Sequence, residues 1–129
     1  MPLASKDLES WGLVQFPAAI GADVVVVNVH GIASGAMTLD GRVLAGIYLG
    51  KITRWDDPAI RALNPALTLP AVPISVVHRS DGSGTTFLFA DYLSKQSEDW
   101  KHQVGASTEI DWPLGYGAKG NDGVAAAVG

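Results

Sequence analysis

Residues 74–87, from Ile74 through Val76, Val77, His78, Arg79, Ser80, Asp81, Gly82, Ser83, Gly84, Thr85 and Thr86 to Phe87, leave this chain few ways to fold. A β-branched apolar run, Ile74 to His78, gives way to a Gly/Ser turn carrying one Arg. Apolar residues at helical spacing then begin at Thr85 and continue to Leu93. Strand, tight turn and helix in that order belong to an α/β layer. They also bring together the parts of an anion site, because the first N–H groups of a helix lack intrahelical partners and sit at the positive end of its dipole. Gly82 and Gly84 carry no Cβ and let an oxyanion come close to the backbone. Ser83, Thr85 and Thr86 offer hydroxyls, and Arg79 offers a planar, permanently charged fork. The segment reads as a site for a phosphate-like group.

The same residues have a plainer reading. Ser83 is a good N-cap, the glycines suit a turn, and Arg79 could be a surface charge. Two catalytic readings fail on sequence. No Lys follows Gly84, so the nucleotide-binding G-x-x-x-x-G-K-[ST] loop is not present. Asp81 stands where the first Gly of a G-x-S-x-G nucleophile turn would be, so Ser83 is not marked as a nucleophile. Binding without covalent chemistry is the expectation, and no enzyme activity is assigned.

Further elements follow from local signals. Ser5 can cap a short helix to Trp11, closed by Gly12. Leu13 to Ile20 and Asp23 to Val29 are rich in strand formers. The second is a near-continuous Val run, as expected of a strand buried on both faces. Asp40 precedes a helix near Val43 to Leu49 that Gly50 stops. Asp57-Pro58 places a cap before a Pro at the first helical position, with the helix ending near Leu63 before Asn64-Pro65. Ser97 can cap a helix through Trp100. Near the end, Gly115 to Gly123 is Gly-rich and precedes an apolar stretch from Val124 to Val128. Lys119, Gly120 and Asn121 there suit either a second anion-binding helix start or a connecting loop capped by Asn121.

Composition narrows the function classes. With 129 residues, 47% of them hydrophobic, the chain can build one ordinary core. Nine basic against thirteen acidic residues give a net charge of −4, with no basic cluster to attract nucleic acid. The sequence has no Cys, which removes disulfides and thiolate chemistry. His30, His78 and His102 share no metal-ligand spacing, and no metal or cofactor is expected. His78 alternates with Arg79 along a strand and so faces the other way; it reads as structural, as does Trp55. The Met1 to Lys6 stretch has no apolar core of a signal peptide, and Ala22 to Val29 is too short to span a bilayer.

Arg79-Ser80-Asp81-Gly82-Ser83-Gly84-Thr85-Thr86-Phe87 closely resembles the phosphate-binding loop of the periplasmic phosphate-binding proteins that serve bacterial ABC transporters, the PstS family. Leu13 to Pro17, Ile47 to Ile52, Trp55 to Ile60, Leu63-Asn64-Pro65, Trp112-Pro113 and Gly117 to Gly123 resemble segments of that family in the same order, so nearly the whole chain is covered. The resemblance implies that Arg79 donates to bound phosphate and is oriented by Asp81. It also implies that Ser83, Gly84 and Thr85 supply hydroxyl and backbone donors. It implies a phosphate ligand, an ABC permease as partner and a periplasmic location. A chain expressed as given, with no visible signal peptide, would instead be expected in the cytoplasm.

The departures from that family carry expectations of their own. Its members are longer and close on phosphate between two lobes. The carboxylate that accepts the proton of hydrogen phosphate directly precedes the segment matching Pro2-Leu3, where this chain has Met1. The fold expected is therefore a partial α/β lobe, a mixed sheet flanked by helices, formed by residues 1–129 as a single truncated domain. Sheet edges and apolar faces left open at Val24 to Val27 would favour a homo-oligomer, edge-paired or domain-swapped. The alternative function is an interaction or structural protein that keeps the fold without a physiological ligand.

Overall fold

A computed structural model describes residues 3–129; Met1 and Pro2, and with them the comparison drawn at Met1, lie outside the described residues. The elements are α1 (Ser5–Trp11), α2 (Gly41–Tyr48), α3 (Pro58–Leu63), β1 (Val77–Arg79), α4 (Gly84–Gln96), α5 (Glu98–Gln103), β2 (Tyr116–Ala118) and α6 (Gly120–Val128). This is the partial α/β lobe expected. Its sheet, among the described residues, is small and parallel: β1 pairs with β2 in the register Val77–Tyr116, His78–Gly117, Arg79–Ala118. One isolated antiparallel bridge joins Arg54 to Pro73.

Local chemistry accounts for most helix boundaries. The Asp40 carboxylate accepts from the Val43 N–H, and that of Asp57 from the Ala59 N–H, with Pro58 at the first position of α3. Ser97 accepts from Trp100 N–H at the start of α5. Helix α1 departs from expectation at its start. Ala4 is its N-cap, with no side-chain cap, and Ser5 is already helical, while Gly12 closes it at φ 61° as read from the sequence.

Helix α2 stands between two halves of the core. Val43 and Ile47, one turn apart, pack with Ile60, Leu69 and Val76. Leu44 and Ala45, on the adjoining face, pack with Ala90, Leu93 and Trp100. Trp100 is fully buried, and its indole N–H donates to the Gly105 carbonyl at 3.1 Å. Gly41 permits the close approach of α2 to α4, since a Cβ there would lie 2.3 Å from Gln96 Cγ. Buried Asn64 acts as a backbone surrogate, accepting from Thr38 N–H and donating to the Thr38 and Ile60 carbonyls. Trp55 packs against the first cluster, the packing role expected of it.

The strands expected over residues 13–20 and 23–29 do not form. Neither segment joins a ladder, and Val24, Val25 and Val26 are 77%, 46% and 55% exposed rather than buried on both faces. Val14, Phe16 and Ile20 are likewise exposed. A strand former is stable as a strand only where another strand meets its N–H and C=O groups. None of the described residues does so here. The run is tied down at its end, where Asn28 Nδ2 donates to the Val128 carbonyl at 2.9 Å and Val29 is buried.

Candidate functional site

The site is built at the end of β1, where buried Val76 and Val77 hand the chain to Arg79 and the turn beyond it. Arg79 is fixed on two sides. Its Nε and Nη2 donate to the two oxygens of Asp81 at 2.7 and 2.6 Å, a bidentate pair across two residues of sequence. Its Nη1 donates to Asn121 Oδ1 on the first turn of α6 at 2.6 Å. A guanidinium has five N–H groups; with three engaged, two remain free to donate. The side chain is only 14% exposed, so this fork is largely shielded from water.

Asp81 is the link between the two elements. Its Oδ1 accepts from the Gly120 N–H at 3.1 Å as well as from Arg79. The Arg79 hydrogen bond, and then that of Gly120, hold its carboxyl well below the usual carboxylate range. The Asp81 hydrogen bond, in turn, raises the Arg79 pKa. Asp81, to which the resemblance gives an orienting role, accepts from Arg79 on both of its oxygens. The alternative suggested for Lys119, Gly120 and Asn121 takes a different form. A helix does start there, with Lys119 as N-cap and no side-chain cap, but the Gly120 amide is already occupied by Asp81 and Asn121 holds Arg79.

Helix α4 begins beside this pair. Ser83 is its N-cap: Oγ accepts from Thr86 N–H at 2.9 Å and bonds Thr86 Oγ1 at 2.9 Å. The Ser83 N–H donates to the Thr108 carbonyl at 2.9 Å, and Phe87 N–H donates to the Ser83 carbonyl at 3.2 Å. Among the described residues no acceptor meets the N–H groups of Gly84 and Thr85. The plainer reading of Ser83 is therefore correct as far as it goes. The donors left over at this helix start are the amides of Gly84 and Thr85 and the Thr85 hydroxyl.

Two hollows meet at Arg79. One, of about 420 Å³, is lined by Arg79, Asp81, Thr86 and the loop from Thr108 to Trp112. The other, of about 600 Å³, is a groove that carries Arg79, Thr85 and Asn121 along with apolar side chains. His78 borders both and stacks on Trp112, ring centroids 4.7 Å apart and planes 15° apart. Its Nδ1 lies 3.0 Å from the Arg79 carbonyl, which can only accept, so Nδ1 carries the proton. His78 is half-buried packing beside the site, in keeping with the structural place read for it. Trp112 extends that packing to Phe89, Tyr48 and Trp100. Burial among these rings raises the Tyr48 phenol above its ordinary pKa.

Sequence reasoning missed Asn121 as an Arg79 partner and Trp112 as the rest under His78. Asn121 is 42 positions from Arg79 and Trp112 is 34 from His78, so neither contact has a local signal. Among the described residues no group of three His, Asp or Glu side chains is placed to hold a metal ion. No described helix is long and apolar enough to cross a membrane.

Comparison with known proteins bears directly on this geometry. A family model described as a PBP superfamily domain matches residues 2–128. The phosphate-binding protein PstS of Xylella fastidiosa is 55% identical over 127 residues, covering 98% of this chain and 35% of the relative. That of Haemophilus influenzae is also 55% identical over 127 residues, covering 98% of this chain and 38% of its own length. The archaeal relative of the same name from Methanocaldococcus jannaschii is 46% identical over 122 residues, covering 89% of this chain and 31% of its own length. The chain spans about a third of the length of these curated relatives. A match over all but the terminal residues, with such identities to proteins of one name, places it: the chain belongs to the PBP superfamily and corresponds to a stretch of the phosphate-binding proteins called PstS.

Proposed function

We propose that this chain binds inorganic phosphate, through the Arg79 guanidinium on one side and the start of helix α4 on the other. The observation that carries the reading is the clamped state of Arg79. Asp81 and Asn121 hold it, and Arg79 borders the same groove as Thr85. A fork fixed in advance loses little conformational entropy on meeting an oxyanion. Gly84 and Thr85 provide backbone N–H, Thr85 its hydroxyl, and Ser83 its cap geometry; Asp81 and Asn121 orient Arg79. On this reading residues 1–129 act as one phosphate-binding-protein-like domain, part of the solute-binding component of an ABC phosphate transporter. Its partner is the membrane permease and its compartment the periplasm. The ligand is bound from one side, so water and salt weaken the electrostatics.

A second reading has its own observation. The Ser83 hydroxyl makes both of its hydrogen bonds within the helix start, to Thr86 N–H and Thr86 Oγ1, and broad apolar surface lies exposed from Leu13 to Val26. That combination suits a protein kept for interaction rather than ligand binding. Calorimetric titration with phosphate, and separately with sulfate, decides between the two. Saturable phosphate binding that Arg79→Ala abolishes supports the binding module. No heat with either anion, with Arg79→Ala folding as the parent does, supports the interaction protein.

A further inference from the structure

We infer that two copies of this chain exchange arms: residues 13–20 of each lie as an added strand beside β1 in the apolar groove of the other. The inference goes beyond the anion reading and holds whether or not Arg79 takes phosphate. The arm is residues 3–22. None of these is buried, and every hydrogen bond they make among the described residues stays within the segment, as from Leu3 N–H to Gln15 Oε1 at 2.9 Å. The side chains most open to water fall at even positions: Val14 is 88% exposed, Phe16 75% and Ile20 99%. Alternation of that kind is the period of a strand with one apolar face.

The receiving surface is the groove of about 600 Å³ that Ile74 to Arg79 line along β1. Away from Arg79, Thr85 and Asn121 its lining is largely apolar, with Leu44, Ile47, Phe89, Val124 and Val128 among it. Pairing with β2 engages the backbone of Val76 and Ser80, which alternate with Val77. Val77 therefore turns its N–H to the opposite edge, where nothing among the described residues accepts from it, and its carbonyl meets only the Tyr48 hydroxyl, at 3.5 Å. Val77 is buried, and a buried amide calls for an acceptor. A strand laid along this edge supplies one. Pro17 selects which edge of the arm can pair: its missing N–H lies with the backbone of Gln15 and Ala19, so the even residues keep every donor.

The arm takes no part in lining its own groove, whose first residue is Ala22, so the added strand comes from a second copy. Seating Val14, Phe16 and Ile20 covers roughly 300 Å² of apolar surface on the arm and a like area on the groove. Two reciprocal exchanges cover roughly 1,200 Å² in all, enough for a specific interface, and close the assembly as a dimer.

Sedimentation of the full chain, of Phe16→Asp, of Ala125→Trp and of the two variants mixed tests the exchange. Phe16 is exposed on the arm and Ala125 is exposed on the groove wall, so neither substitution empties the core. The first charges the arm and the second fills the groove. At tens of micromolar the parent is expected to sediment as a dimer and each variant alone as a monomer. The mixture regains dimers, because the intact arm of one variant enters the open groove of the other. Far-ultraviolet circular dichroism matching the parent shows that the variants are folded; Ile20→Asp and Ala127→Trp replace either one that is not. A monomeric parent overturns the inference, and so does a variant that dimerises as the parent does. Two folded, monomeric variants that stay monomers when mixed at hundreds of micromolar also overturn it, because arm and groove are then not partners.

Discussion

Substituting Ser83 in two ways separates its duty to helix α4 from its place at the anion site. The Ser83 hydroxyl accepts from Thr86 N–H and bonds Thr86 Oγ1, and Thr86 is only 2% exposed. Ser83→Ala removes the cap, worth about 1 kcal/mol, and leaves a buried hydroxyl short of a partner, worth about 1 kcal/mol or more. The expected loss is about 2 kcal/mol. With a urea m-value of about 2 kcal/mol/M, the unfolding midpoint falls by about 1 M. Ser83→Asp behaves differently. Aspartate is as good an N-cap as serine, can accept from both Thr86 groups, and is favoured at the positive end of the helix dipole, so stability stays near that of the parent. Its carboxylate, however, stands where the anion is drawn. At about 4 Å, like unit charges repel by about 1–4 kcal/mol between bulk-water and protein-surface dielectrics, so phosphate affinity falls about fivefold or more. Urea unfolding and phosphate calorimetry on the same three proteins give both readouts. Phosphate binding by Ser83→Asp equal to that of the parent would refute the placement of the anion at this helix start. An unchanged midpoint in Ser83→Ala would refute the cap.

Three further outcomes follow from the same contacts. Asp81→Asn is expected to be less stable at pH 7. The Asp81 carboxyl is held below its ordinary value in the fold, so its contribution is complete above the unfolded value of about 4 and is lost as pH falls below it. The deficit of Asp81→Asn against the parent should therefore shrink in urea titrations carried below pH 4; a deficit that stays constant with pH contradicts the pairing. Leu93→Ala, at a fully buried position between α2 and α4, is expected to lose about 2–5 kcal/mol by chemical denaturation. The exposed run at Val14, Phe16, Ile20 and Val24 to Val26 should drive self-association, so sedimentation at tens of micromolar is expected to find dimers or larger species. A clean monomer there rejects the homo-oligomer.

Local chemistry is what the sequence expresses most directly. Asp57-Pro58, Asp40, Ser83 and Ser97 each act within one helical turn, and each starts its helix near the place where it was read. The bidentate Arg79–Asp81 pair spans two residues and needs only the turn between them. Strands are another matter. The Val24 to Val27 run has every composition signal of a buried strand, yet a strand exists only through a partner, and no sequence pattern names one. The Asn121–Arg79 and His78–Trp112 contacts are equally non-local. They depend on β2 lying parallel beside β1, a connection that takes the chain through α4 and α5 first.

That topology also explains why the site depends on more than its own loop. Parallel pairing of β1 with β2 sends both strands toward the same end of the sheet, so Arg79 leaves β1 where Lys119 leaves β2. The helix starts that follow, α4 and α6, are thereby brought to one edge. Their amides then divide the work. Gly120 at the start of α6 holds Asp81, and Asp81 with Asn121 holds Arg79. At the start of α4, the amides of Gly84 and Thr85 meet no acceptor among the described residues. On the proposed reading, one helix start serves as scaffold for the guanidinium and the other as receptor for an anion. Gly115, at φ 96°, has no room for a side chain, since a Cβ there would meet the Val76 carbonyl oxygen at 2.6 Å, and it sets the entry of β2 into that register. Gly115→Ala must shift β2, and with it Asn121 and Gly120, so its effect should reach Arg79 from a residue that never touches the site. Anion affinity measured in Gly115→Ala, beside an Asn121→Ala control that loses the same Arg79 contact directly, tests that chain of dependence. Full affinity in a folded Gly115→Ala variant would show that α6 does not position Arg79.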